Sequence, residues 1–186
     1  MTFITNAADE LIEVLRLSKN IEREILVFAE KTSSSLKNGG KIIAMGNGGS
    51  AADAQHIAAE FVGRYKLNRK ALPSLALNVN TSTITAIGND FGYDEIFSRQ
   101  IEAFATDKDV VIAISTSGNS ENIIKAVEAA KKRGSYTVGL LGGTGGKLKD
   151  LVNLPIIVPS SNTPRIQECH IHIAHVVCEI AEKANA

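Results

Sequence analysis

The stretch from Lys41 to Glu60, KIIAMGNGGSAADAQHIAAE, constrains the fold more than any other part of the chain. An apolar run, Ile42-Ile43-Ala44-Met45, breaks at Gly46-Asn47-Gly48-Gly49 and resumes as an Ala-rich helix from about Ser50. Strand, glycine turn and helix follow with no spare residues. Such a junction presents free backbone N–H groups at the positive end of a helix, which suits an anion. Asp53, His56, Glu60 and Arg64 recur at spacings of three and four, so a helix reaching to about Tyr65 points them all to one side. A glycine loop and an ionisable stripe thus arise from one βα unit.

The remaining chain repeats that alternation. Residues from about Thr5 to Lys37 carry an apolar stripe with a period near 3.6 and stop at Asn38-Gly39-Gly40. This segment, about residues 1–38, can cover the sheet or meet another subunit. Further strands are predicted at Leu72–Val79, Asp109–Ser115, Tyr136–Leu141 and Leu154–Val158. Helices are predicted at Thr81–Ile87 and Asp94–Phe104, on either side of a polar hinge at Gly88–Gly92. Others are predicted at Glu121–Arg133, Lys147–Val152 and from about Thr163 to Lys183. The pattern implies an α/β three-layer αβα sandwich around a five-stranded parallel sheet. The chain has 186 residues, which fits one domain. The two loops richest in Gly, Ser and Asn follow the first and third strands. In a flavodoxin-like order 2-1-3-4-5 those strands flank the switch point where ligands bind.

Bulk properties narrow the function. The formal net charge is zero, with no basic run, so no nucleic-acid partner is expected. No apolar stretch is long enough for a membrane span, and the start lacks the pattern of a secretory leader. Cys169 and Cys178 on one helix stand about 13 Å apart along the axis, too far for a disulfide. Both read as buried thiols of a reducing compartment, with the cytoplasm as the expected location.

The first loop matches G-x-G-x-x-A over Gly46–Ala51, a pattern that also opens dinucleotide sites. A dinucleotide site wants an acidic residue about 20 positions on, for the ribose; Lys66–Lys70 supplies none. A structural turn remains one reading and a phosphate or sugar-hydroxyl seat another. The second loop, Ser115-Thr116-Ser117-Gly118-Asn119-Ser120, crowds hydroxyls between a buried strand and a helix start. Ser120 or Asn119 serves as an N-cap. Capping does not call for Ser115, Thr116 and Ser117 together, and a phosphomonoester cradle does. His56 and Glu60, one turn apart, can reach one divalent ion, although a solvated helix face gives the same spacing. On the last helix Glu168, His172, His175 and Glu179 share a narrow polar arc, with Gln167 and His170 beside it.

Taken in order, GNGGS at Gly46–Ser50, His56 with Glu60, GNDFG at Gly88–Gly92, STSGNS at Ser115–Ser120, and RIQE at Arg165–Glu168 followed by His175 resemble the phosphoheptose isomerases of the sugar isomerase (SIS) fold. The resemblance spans about Lys41 to Lys183. It implies conversion of sedoheptulose 7-phosphate to D-glycero-D-manno-heptose 7-phosphate through an enediol. This is the first step toward ADP- or GDP-heptose, for lipopolysaccharide, capsule or another glycan. It implies one Zn2+ per site, held by His56, Glu60, Gln167 and His175, with Glu60 and His175 catalytic. It implies substrate contacts from Asn47, Gly48, Gly49, Ser50, Glu60, Asn89, Asp90, Ser115, Thr116, Ser117, Ser120 and Gln167.

The implied partners are a phosphorylated seven-carbon sugar and further copies of the chain in a homotetramer. Gln167 and His175 lie about 12 Å apart along a helix, so one ion joining them stretches both side chains. Active sites shared between chains, or a bent helix, are therefore expected. A non-catalytic SIS module, binding a phosphosugar or associating with a replication initiator, would keep the loops without needing His56, Glu60, Gln167 and His175 together.

Overall fold

The computed structural model describes residues 2–186. Its centre is a five-stranded sheet of order β2-β1-β3-β4-β5. The strands are β1 (Ile42–Gly46), β2 (Ser74–Ala76), β3 (Val110–Ser115), β4 (Tyr136–Gly142) and β5 (Leu154–Val158), and every neighbouring pair is parallel. The helices are α1 (Phe3–Leu17), α2 (Glu22–Lys37), α3 (Gly49–Val62), α4 (Thr81–Phe91), α5 (Ser98–Phe104), α6 (Glu121–Lys132), α7 (Leu148–Leu151) and α8 (Thr163–Asn185).

Side chains alternate across a strand, so each strand feeds two cores. Ile42, Ala44, Val110, Ile112 and Ile114 enter a core shared with α1, α2, α3 and α8. Ile43, Met45, Val111 and Ala113 enter the opposite core, shared with α5, α6 and α7. The α/β sandwich and strand order are as the sequence predicts. The early helices do cover the sheet: Val14, Phe28, Ala29 and Leu36 lie in the first core. They also leave Phe3, Ile4, Ile12 and Leu26 exposed.

Local departures have local causes. The second strand shrinks from the predicted Leu72–Val79 to Ser74–Ala76. It is an edge strand with one neighbour, and Asn78 uses its side-chain amide to reach the Gly46 carbonyl. The expected hinge at Gly88–Gly92 is instead the last turn of α4, which runs unbroken to Phe91. Asn80 caps the start of α4 by accepting from the Thr83 N–H. Gly92, at φ 93°, ends the helix in a conformation that disfavours any side chain. Helix α3 ends at Val62, so Arg64 falls off the ionisable stripe. Its guanidinium turns to the Lys66 carbonyl.

The edges of β1 and β3 are pinned at their start by Asp109, whose side chain is 1% exposed. It accepts from the Lys41 N–H at 2.8 Å, the Lys41 ammonium at 2.7 Å and the Thr106 N–H at 2.7 Å. Burial pushes this carboxyl up, but the donors outweigh burial and hold it below the usual aspartate range. A carboxylate depressed in the native state stabilises the fold above its unfolded value and loses that contribution as pH falls through the native one. Asp109→Asn is therefore expected to cost about 2 kcal/mol at pH 7. In urea titrations the deficit should shrink below about pH 4, as the wild-type carboxylate takes up its proton.

Candidate active site

Strands β1 and β3 are neighbours in register from Ile42 with Val110 to Gly46 with Ile114. The loops leaving their C-terminal ends are consequently side by side. Between them opens a cavity of about 300 Å³ lined by Asn47, Gly48, Gly49, Ser50, Ser115, Thr116, Ser120, Thr163 and Gln167, with Ile114 at its floor. Three helices start here: α3 at Gly49, α6 at Glu121 and α8 at Thr163. None has a side-chain hydrogen bond at its N-cap, so their positive ends face the cavity with N–H groups to spare. No Lys or Arg is among the lining residues. An anion held here is held by hydroxyls, N–H groups and helix dipoles.

Ser120 occupies the N-cap position of α6, yet its hydroxyl turns to Ser115, 3.1 Å away. Ser115 also accepts from the Gly118 N–H at 3.2 Å, which shapes the loop. Ser117 is exposed, outside the cavity lining, and accepts from the Asn119 N–H. Asn89 and Asp90 lie exposed on the last turn of α4, bonded to each other, and are also outside the lining. Gln167 packs on Gly49 so closely that a Cβ there would stand 2.5 Å from its amide nitrogen. A side chain there would displace that amide.

Further along the same two helices lies the titratable group. Helices α3 and α8 each follow a strand of a parallel sheet on the same face, so they run in the same direction. The contact of Gly49 with Gln167 is succeeded by that of His56 with His175. The Nε2 atoms of those histidines are 3.4 Å apart, and His56 Nε2 is 3.0 Å from Glu60 Oε1. His56, Glu60 and His175 each offer a ligand atom, all within 4.8 Å of one another. Two imidazoles and a carboxylate in that space are a donor set for a divalent metal. Burial and the adjacent His56 push His175 below the usual histidine range, which favours the neutral ring that a metal needs. The structure thus brings three of the four expected ligands together in one chain. Gln167 stands at the cavity end, eight positions earlier on α8.

Several residues at the site carried no assignment from sequence. Asn122 is buried at the start of α6 and exchanges two 2.9 Å hydrogen bonds with Asn47, locking the two loops together. Its signal was an amide on the otherwise apolar inward face of an amphipathic helix. The Tyr93 hydroxyl donates to Asn47 Oδ1 at 3.2 Å. The Tyr65 ring packs on His175 at 5.5 Å between centroids. Asp53, one turn before His56, is half-buried, and one carboxylate oxygen has no partner among the described residues. Burial pushes its carboxyl up against the lowering effect of His56. Arg165 and Glu168 of the RIQE motif pair with each other, and Arg165 donates to the Ala7 carbonyl of α1.

His170, expected beside the polar arc of α8, is fully buried instead. Its Nε2–H donates to the Leu141 carbonyl at 2.9 Å, and its Nδ1 has no partner among the described residues.

A family model described as the SIS domain matches residues 5–142. The phosphoheptose isomerase of Geobacter sulfurreducens is 56% identical over 167 residues, which cover 90% of this chain and 88% of that one. Among solved structures, the phosphoheptose isomerase of Neisseria gonorrhoeae superposes with a TM-score of 0.91 at 40% identity, covering 97% of both chains. That of Francisella tularensis gives 0.94 at 36%, covering 98% of this chain and 100% of that one. The chain belongs to the phosphoheptose isomerase family. It is thereby an aldose–ketose isomerase by family, and the non-catalytic alternative is not favoured.

The buried imidazole of this isomerase yields a stability prediction. Burial pushes His170 down to about 4. A neutral His170 stabilises the fold fully above the unfolded histidine value of about 6.5 and progressively less as pH falls toward the native one. The wild type should lose about 3 kcal/mol from this site between pH 6.5 and 4. Denaturation curves of His170→Gln should lack that portion of the acid slope.

Proposed function

We propose that the chain interconverts sedoheptulose 7-phosphate and D-glycero-D-manno-heptose 7-phosphate as the first step toward an activated heptose. It does so as one domain, with Zn2+ held by His56, Glu60 and His175. The observation that carries the reading is the convergence of these three donors two to three helical turns from a cation-free phosphate cradle. Ligands on a tetrahedral zinc with bonds of about 2.0–2.1 Å stand about 3.3 Å apart. The spacings of 3.0 Å and 3.4 Å in the group support that ion.

The cradle takes the phosphate through Ser50, Ser115, Thr116 and Ser120 with the N–H groups of Gly48 and Gly49, and Ser117, outside the lining, joins them by releasing the Asn119 N–H. Asn47 and Gln167 then face the sugar hydroxyls. The sugar head extends along the groove between α3 and α8 toward His175. Zinc supplies Lewis-acid polarisation of the carbonyl when bound. Glu60 takes the proton from C1 while His175 delivers one to O2, giving the enediol. Return of the carbon proton at C2, with loss of the proton on O1, completes the aldose. Glu60 has two roles in tension, since it would hold the metal and also serve as the base. Gln167 is the fourth candidate ligand, and its amide packs on Gly49.

Incubating the purified protein with sedoheptulose 7-phosphate should produce the aldose, and a chelator should abolish turnover. Glu60→Gln should lower kcat by at least 10²-fold. Zinc content, measured separately, distinguishes the roles: turnover that survives in a zinc-depleted Glu60→Gln protein would rule out Glu60 as the base.

The reading extends to a homotetramer in the cytoplasm with shared sites. Exposed Phe3, Leu26, Phe91 and Tyr93 offer apolar surface for subunit contacts, and two free, buried cysteines suit a reducing compartment. Asn89 and Asp90, outside their own chain's cavity, are the residues a neighbouring subunit would contribute. Mixing Asp90→Ala with His175→Ala subunits should regain activity that neither parent has. Inactive hybrids of verified mixed composition would argue that each chain is self-sufficient.

A further inference from the structure

The segment after α3 is tied to the C-terminal part of α8 by a buried ion pair outside the groups named above. Glu182, its side chain 1% exposed, accepts from the Tyr65 N–H at 2.9 Å, the Lys66 N–H at 2.8 Å and the Leu67 N–H at 2.9 Å. Arg69, its side chain 3% exposed, places Nε 3.1 Å from Glu182. The other guanidinium nitrogens donate to the carbonyls of Glu60, Phe61 and Lys70, each at 2.9 Å. Arg69 thereby satisfies the carbonyls that the end of α3 leaves open, with a positive charge where the helix dipole is negative. Burial pushes the Glu182 carboxyl up, but the three N–H groups and Arg69 outweigh burial and keep it charged.

Both ends of this arrangement reach the metal group. Arg69 holds the backbone of Glu60 itself. Glu182 holds the backbone of Tyr65, whose ring lies against His175 at 5.5 Å with a 33° tilt. His56 approaches His175 from another side, edge-on at 5.0 Å. Lys66, next in the held segment, pairs with Glu179, one turn after His175, at 2.7 Å. A covering role for the segment would need apolar contacts only. A charged pair buried this deeply, with nearly every donor aimed at backbone, costs desolvation that packing alone does not require.

We propose that Arg69 and Glu182 are positioning residues for the metal group, acting on Glu60 through its backbone and on His175 through the Tyr65 ring. The inference rests on the reading of His56, Glu60 and His175 as metal ligands. It adds that their preorganisation is set from the C-terminal end of α3 rather than from the phosphate cradle. Partners of this kind outside the ligand set typically alter metal affinity 10- to 100-fold.

The test uses the full chain with Zn2+ alone as the probe. Zinc competition against a chromophoric chelator should show about a 10-fold weaker affinity for Glu182→Gln and for Tyr65→Leu. Tyr65→Phe should bind as the wild type does. In the metal-free protein, the ring-current shift that Tyr65 imposes on the His175 protons should collapse in both Glu182→Gln and Tyr65→Leu. Unchanged His175 resonances and unchanged zinc affinity in folded Glu182→Gln, with only thermal stability reduced, would overturn the proposal. If Glu182→Gln does not fold, equal zinc affinity of Tyr65→Leu and Tyr65→Phe overturns it. A wild type that takes up no Zn2+ would instead refute the metal reading, while the His175 resonances still decide whether the clamp reaches that ring.

Discussion

The site depends on one contact between two helices that run the same way. Gly49 at the start of α3 lies against Gln167 near the start of α8, so close that a side chain at position 49 would displace the Gln167 amide. Because the helices are parallel, that contact sets the register of everything after it. His56 and His175 meet because they follow Gly49 and Gln167 by nearly equal numbers of residues. A larger residue at position 49 would crowd the cradle and displace the Gln167 amide from it.

The two halves use different physics. The cradle has no positive side chain and relies on three helix starts, each with unspent N–H groups. The metal group relies on side chains, which need support to stay in place. That support comes from one buried ion pair, Arg69 with Glu182, at the C-terminal end of α3. Thus the neutral subsite is built at the helix beginnings, and the ionic one in the body of the helices, where a charged pair braces it.

The architecture was legible because its signals are long-ranged and redundant. Continuous apolar strands such as Val110–Ser115, the glycine break after Met45 and the hydroxyl loop after Ser115 all point to one topology, and β5 begins and ends where its pattern does. Local competition caused the misses. Asn and Gly at positions 88–92 resemble a hinge, yet α4 continues through them because its cap at Asn80 and its stop at Gly92 set its length. His170 was read as lying beside the polar arc, yet steps of 100° place it about 160° from Glu168, between Val177 and Ala181 on the apolar face, where it is buried and donates to the Leu141 carbonyl. Asn122, Tyr65 and Glu182 were illegible as site residues because their partners lie 75, 110 and more than 110 positions away in the chain. Sequence spacing carries no trace of such pairings.

The packing of α2 against α8 has a bearing on synthesis. Phe28, Ala29 and Leu36 bury themselves beside Cys169, Ile173 and Val177, residues from the far end of the chain. On the ribosome the first two helices emerge long before their covering helix exists, with an apolar stripe facing water. The chain is therefore most vulnerable to aggregation and to chaperone capture late in translation. Emergence of α8 closes the core and brings the two halves of the site together in one step.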